Sequence, residues 1–166
     1  MNDNKRIYTA LVRPHISALQ RVAWRWTRDR QAAEDLVQDV LLKVVDHIAE
    51  MRTIEQLRPW LVKIMYRRFV DLYRRDTRSP VDRAVEADPD RAAGPDPIEA
   101  FEWQQLLAGA LAQLEPDHRD VILLHDVEGY TGPEVAEILE INEGTVKSRL
   151  HRARERLKNL IDPGTF

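Results

Sequence analysis

The residues best placed to do chemistry lie near the end of the chain. Between Thr145 and Leu160 stand Lys147, Arg149, Arg152, Arg154, Arg156 and Lys158 against a single acid, Glu155, a local charge of +5. Gly144, Thr145 and Ser148, all small, precede or interleave with the first cations. Cations at helical spacing neutralise phosphates or reach base edges in a major groove, and small residues let a helix N-terminus approach the duplex. No other chemistry is signalled. The five histidines, His15, His47, His118, His125 and His151, form no metal-binding pair of the H-E-x-x-H kind. His125-Asp126 is a lone neighbouring pair that reads as structural. No phosphate-binding or nucleophile motif occurs. Catalytic residues, metal and cofactor are therefore expected to be none.

The segments before the cations are suited to position them. Thr131 and Glu134 have the spacing of a capping box, with Pro133 tolerated in the first turn. Val135, Ala136, Ile138 and Leu139 give that helix an apolar side. A turn at Glu140–Asn142 follows, and Asn142 is a good cap for a second helix. There Val146, Leu150, Ala153 and Leu157 recur as one buried stripe. Short helix, tight turn and basic helix together read as a helix-turn-helix. The plainer alternative is a helical hairpin with a solvated basic face.

Composition bounds the rest. The chain has 166 residues, 43% of them hydrophobic, and no cysteine, which excludes disulfides and cysteine-ligated zinc. No apolar run is long enough to span a membrane, and Met1 to Arg6 is polar, without the apolar core of a signal peptide. A cytoplasmic location is the expectation. The net charge of −3 is segregated. Residues 1–78 hold 16 Lys/Arg and 10 Asp/Glu, or +6; residues 79–102 hold 2 and 7, or −5; residues 103–166 hold 7 and 11, or −4. Local patches, not the total, decide nucleic-acid binding.

Read in order, the chain is helical throughout. Tyr8, Leu11, Val12, Ile16, Leu19, Val22, Ala23 and Trp26 share one face, with Pro14 starting or kinking the main helix. Arg21, Arg25 and Arg28 fall on another. A second helix opens between Asp29 and Glu34, with Ala33, Leu36, Val37, Val40, Leu41, Val44 and Ile48 inward. Glu34, Asp35, Gln38, Asp39 and Lys43 lie outside that stripe. The acids serve either the helix dipole or a basic partner. Residues 49–58 read as a loop, with Thr53 and Gln56 spaced as another capping box. Pro59 fits the first turn of a third helix running to Arg75. Leu61, Ile64, Met65, Leu72 and Phe69 are its core candidates. Lys63, Arg67, Arg68, Arg74 and Arg75 interleave there with Trp60, Tyr66 and Tyr73. Such a face suits single-stranded nucleic acid, or else a core helix with snorkelling arginines. Ser79 to Pro97, rich in proline and acid, reads as a flexible linker that does not pack. The expected fold is all-α: two small helical domains, 1–78 and 98–166, joined by the acidic linker 79–97.

Two separate stretches carry a family resemblance. Ala33-Glu34-Asp35-Leu36-Val37-Gln38-Asp39-Val40-Leu41-Leu42-Lys43-Val44, followed by Trp60-Leu61-Val62-Lys63-Ile64 and Asp71-Leu72-Tyr73-Arg74-Arg75, resembles region 2 of the extracytoplasmic-function (ECF) sigma factors. These are the small members of the sigma-70 family of bacterial transcription initiation factors. Leu114, Arg119, Gly129 to Ala136 and Gly144-Thr145-Val146-Lys147-Ser148-Arg149-Leu150-His151-Arg152-Ala153-Arg154 resemble region 4. The resemblance implies a protein that binds core RNA polymerase and directs it to promoter DNA, with many members held by anti-sigma proteins. It implies that Asp35, Gln38 and Asp39 dock on polymerase. It implies that Lys63, Arg67, Arg68, Arg74 and Arg75 hold the opened −10 element. Lys147, Ser148, His151 and Arg152 would approach −35 bases, and Thr145, Arg149 and Arg154 the phosphates. The linker would thread the polymerase's basic RNA path. Arg67 stands where many members carry asparagine, Glu115 where a proline is common, and Glu140 where a turn glycine is common; Glu143 adds an acid near the DNA. Two other classes remain open on the residues alone: a two-domain DNA-binding regulator that does not engage polymerase, and a helical interaction module. An acidic docking helix followed by an arginine-aromatic helix is what a plain repressor does not need.

Overall fold

A computed structural model of the chain describes residues 3–74 and 97–162. These residues are helical, with no strand among them. In the N-terminal unit α1 (Asp3–Val12) and α2 (Ile16–Thr27) are separated by one 3-10 turn, Arg13–His15. Pro14 sits in that turn, where its missing N–H costs little, so it kinks the path between the two helices. Arg28 ends α2 in the left-handed conformation, φ 54°, with its N–H bonded to Trp24 O. Its guanidinium lies 4.9 Å above the Trp24 ring.

Asp29 caps α3 (Arg30–Val44), its carboxylate accepting from Ala32 N–H at 2.8 Å. Ala33, Leu36, Val37, Val40 and Val44 are buried, as their spacing predicts. The chain then makes a 3-10 turn (Val45–His47), where the second helix was expected to run on to Ile48, and a short helix, α4 (Ile48–Met51), at the start of the loop expected over 49–58. The Thr53–Gln56 box does not form. Thr53 Oγ1 donates back to Glu50 O, and Gln56 caps α5 (Leu57–Phe69) without a side-chain bond. Burial of Leu57 and Pro59 fixes the start of α5 instead.

Leu61 and Met65 are in the core as expected, but so are Val62 and Tyr66. Tyr66 lies against Trp26 at 5.3 Å between ring centroids, which places it in the hydrophobic core and not on a base-stacking face. Phe69 stacks on Trp26 and Tyr73 on Phe69, each at 5.5 Å. Past Phe69 the helix widens into a π turn, Val70–Arg74. The wider turn rotates the face, and Leu72, an expected core residue, is 40% exposed.

The C-terminal unit contains α6 (Pro97–Ala112), α7 (Pro116–Ile122), α8 (Gly132–Leu139) and α9 (Glu143–Ile161). Arg119 ties α6 to α7, donating to the carbonyls of Leu111, Ala112 and Leu114. It binds carbonyls at the end of α6 and in the turn that follows, a structural role. A π turn, Leu123–Val127, follows α7. Gly129, φ 77°, then allows the left-handed step into Tyr130, a conformation that strains other residues. Apart from Pro97, the first residue of α6, the expected linker lies outside the described residues.

The two units pack on each other. α5 lies along α8, and the turn after α7 meets α2. Buried side chains of both units, Met65 and Tyr66 from one and Tyr130 and Val135 from the other among them, belong to one hydrophobic cluster. Each fully buried side chain of that size is worth about 1.5–3 kcal/mol.

Candidate nucleic-acid interface

The helix-turn-helix forms as its local signals require. Glu134 N–H donates to Thr131 Oγ1 at 3.3 Å, and Thr131 N–H donates to Glu134 Oε2 at 2.8 Å, closing the capping box. Thr145 N–H and its hydroxyl both donate to Asn142 Oδ1, at 2.7 and 3.0 Å. Val146, Leu150 and Ala153 are buried against the unit, and Leu157 is half-buried. The opposite side of α9 presents Lys147, Ser148, His151 and Arg152, all exposed. Ser148 Oγ donates back to Thr145 O. Arg152 makes no ion pair among the described residues.

The cations expected to meet phosphates are held from the flank. Arg154 makes a two-point contact with Asp126, Nε donating at 2.9 Å and Nη2 at 2.6 Å. Asp126 also lies 2.8 Å from His125 Nδ1. The hydrogen bonds from Arg154 hold the Asp126 carboxyl below the usual carboxylate range, and the same pair raises Arg154. Arg149 pairs with Asp117 at 3.1 Å. The two pairs fix where these guanidinium groups stand relative to Lys147, Ser148, His151 and Arg152. The two-point Arg154–Asp126 pair has a defined geometry, unlike a free lysine.

The N-terminal unit brings two expected sites together. Asp35 and Gln38 are exposed on α3, with Gln31 donating to Asp35 Oδ1. Asp39, on the same helix, accepts from Arg68 of α5 at 3.0 Å. Thus one expected docking acid, Asp39, touches one expected −10 cation, Arg68. Asp39, Val40, Lys43, Ile64 and Arg68 line a groove of about 250 Å³ there. Lys63 and Arg67 face the other way, toward α8. Lys63 Nζ lies 3.6 Å from Glu137, and Arg67 makes a two-point contact with Glu140 at 2.6 and 3.1 Å. The Glu140 carboxyl is lowered, and Arg67 raised, chiefly by that hydrogen bonding. Arg74 has its backbone in the π turn; its side chain, and all of Arg75, lie outside the described residues.

A further cluster escaped the motif reading. Glu128, whose side chain is 3% exposed, accepts from Arg25 Nε at 2.9 Å, and Arg21 and Arg58 approach it at 3.5 and 3.8 Å. Arg58 also donates to Glu128 O and to the Tyr130 hydroxyl, and lies 4.6 Å above that ring. Burial is the main reason the Tyr130 hydroxyl titrates above its usual value. Three arginines of one unit therefore converge on a buried carboxylate of the other. The only signal in the chain was the opposite charge of the two ends.

A helix-turn-helix with an outward basic helix, carried beside a second helical unit with its own cationic helix, defines a transcription factor of two DNA-facing parts. Residues 11–79 match Sigma-70 region 2, and residues 104–157 match Sigma-70, region 4. The chain is 36% identical over 155 residues to the ECF RNA polymerase sigma factor SigL of Mycobacterium tuberculosis, covering 90% of this chain and 85% of SigL. It is 32% identical over 161 residues to SigE of Mycolicibacterium smegmatis, covering 91% of this chain and 60% of SigE, so it spans about three fifths of that relative. Its fold is similar to the sigma factor RpoE in complex with the anti-sigma factor NepR from Bartonella quintana, with TM-score 0.75 and 28% identity over 92% of this chain and 95% of that one. The chain belongs to the ECF sigma factors of the sigma-70 family. It acts as an RNA polymerase sigma factor in promoter recognition and transcription initiation. No described helix is long and apolar enough to cross a membrane.

Proposed function

We propose a division of that activity among three faces. Asp35, Gln38 and Asp39 of α3 dock on core polymerase. Lys63, Arg67 and Arg68 of α5, with Arg74 and Arg75 beyond it, hold the opened −10 strand. On α9, Lys147, Ser148, His151 and Arg152 reach −35 bases while Thr145, Arg149 and Arg154 meet phosphates. The acidic stretch 79–97 joins a region 2 unit, 1–78, to a region 4 unit, 98–166, and the protein works in the cytoplasm without catalysing a reaction itself. The observation that supports this reading best is the exposed row Lys147, Ser148, His151 and Arg152 on a helix whose other side is buried. A helix anchored on one side and basic on the other is the form that enters a major groove. A relative of similar fold is solved with an anti-sigma factor, and we infer that an anti-sigma protein restrains this chain as well.

The docking face is tested with Asp35→Arg combined with Asp39→Arg. The two acids lie one helical turn apart. Core polymerase pull-down and run-off transcription should both fall sharply, with the helical circular dichroism unchanged. Unchanged polymerase affinity would remove α3 from the interface.

A further inference from the structure

Arg154 is half-exposed on α9, yet one edge of its guanidinium is already gripped. Nε and Nη2 donate to the two oxygens of Asp126, and Nη1 takes part in neither bond. Asp126 is itself braced. His125 Nδ1 lies 2.8 Å from its Oδ1, so that ring nitrogen carries the proton and donates it. The 3.5 Å approach of Arg154 Nη2 to the same nitrogen is then a contact between two donors.

The backbone delivers this pair of residues to α9. After α7 the helix widens at Leu123–Val127 into a π turn, in which Glu128 N–H donates to Leu123 O at 2.9 Å. Val121, Ile122, Leu123 and Leu124 are all buried, more consecutive positions than one stripe of a regular α-helix covers. The wide turn admits that run to the core and still leaves His125 and Asp126 part-exposed beside α9. Turns of this kind interrupt a helix and recur at functional sites. Here the turn brings a carboxylate to an arginine 28 positions further on.

Two effects of that carboxylate oppose each other. Its charge repels the DNA backbone and so weakens binding. Its grip on Arg154 favours binding, because a free arginine side chain gives up rotamer freedom when it meets a phosphate and a clamped one has already done so. The two-point contact also fixes the plane of the guanidinium and with it the direction of the Nη1 edge.

We propose that Asp126 is a positioning residue for −35 binding: it holds Arg154 by one edge so that the Nη1 edge meets a DNA phosphate. The proposal rests on the reading of Arg154 as a phosphate contact. The grip outweighs the repulsion, so an acid on the DNA side of the protein strengthens binding.

The test uses the full chain with core polymerase. The probe is a promoter duplex whose −35 sequence is selected from a random pool by the unaltered holoenzyme, and affinity is measured over a range of salt. Asp126→Asn should weaken binding severalfold and lower the salt slope by about one, as the loss of one phosphate contact does. Glu155→Gln removes the same charge from an exposed acid next to Arg154 and should not weaken binding. Asp126→Glu keeps the carboxylate and should recover the slope, which separates loss of the pair from loss of fold. In an Arg154→Ala background Asp126→Asn should cause no further loss. Binding by Asp126→Asn as tight as that of Glu155→Gln, or an equal loss with and without Arg154, overturns the proposal and leaves the phosphate reading standing. A salt slope unchanged by Arg154→Ala overturns both.

Discussion

α5 and α9 are both basic helices, yet the fold treats their cations differently. On α9 the row proposed to face bases makes no ion pair among the described residues, while the flanking Arg149 and Arg154 are tethered by acids of their own unit. On α5 the partners come from elsewhere: Asp39 of α3 takes Arg68, and Glu137 and Glu140 of the other unit take Lys63 and Arg67. A recognition helix that reads a duplex needs fixed geometry, which local pairs supply. A face that receives a strand only after opening tolerates occupancy beforehand. The pairs on α5 are about half-exposed, and such pairs are worth only about 0–1 kcal/mol each. They are weak enough to exchange for phosphates.

The largest effect that sharpens this comparison should come from Glu128→Ala. Removing one partner from a buried charge cluster costs about 3–5 kcal/mol, and Arg21, Arg25 and Arg58 all lose the carboxylate on which they converge. Denaturant unfolding should show that loss. A change within about 0.5 kcal/mol, the range of ordinary surface substitutions, would mean the contact between units adds nothing to stability.

A smaller effect separates two residues of α9. Arg152 is exposed and makes no ion pair among the described residues, four residues after Ser148 on the same side. Arg152→Ala should relax preference at one −35 position by about 1–3 kcal/mol. Arg154→Ala should weaken binding to every sequence alike and flatten its salt dependence. Binding to a library of single-base −35 substitutions at two salt concentrations distinguishes them. A uniform loss from Arg152→Ala would make it a phosphate contact and misplace α9 in the groove.

The same contrast explains what could be read from the chain beforehand. The caps at Thr131 and Asn142 and the stripe Val146, Leu150, Ala153 were legible because each depends on residues within one or two turns. α5 was harder. Its inner face includes Tyr66 because that ring lies against Trp26, itself stacked on Phe69, and Trp26 is distant in sequence. Leu72 turns outward because a π turn breaks the helical period. Thr53 has the spacing of a cap but bonds backward to Glu50, since the segment before it is already helical. The candidate nucleic-acid residues of α9 were found individually, and the partners of Arg149 and Arg154 were not. The Glu128 cluster joins residues 103 positions apart, and no periodicity reports such a contact. Only the opposite charges of the two ends of the chain hinted that they could attract each other.

In the proposed division α5 acts on opened strand while α9 acts on duplex. Permanganate reactivity of promoter thymines, measured with core polymerase alongside duplex binding, tests it directly. Arg67→Ala with Arg68→Ala should lower permanganate reactivity around −10 while initial duplex binding stays close to that of the unaltered chain. Arg152→Ala should weaken duplex binding and lower reactivity only in proportion. Normal −10 reactivity in the α5 variant, or a loss of duplex binding equal to its loss of opening, would contradict the division.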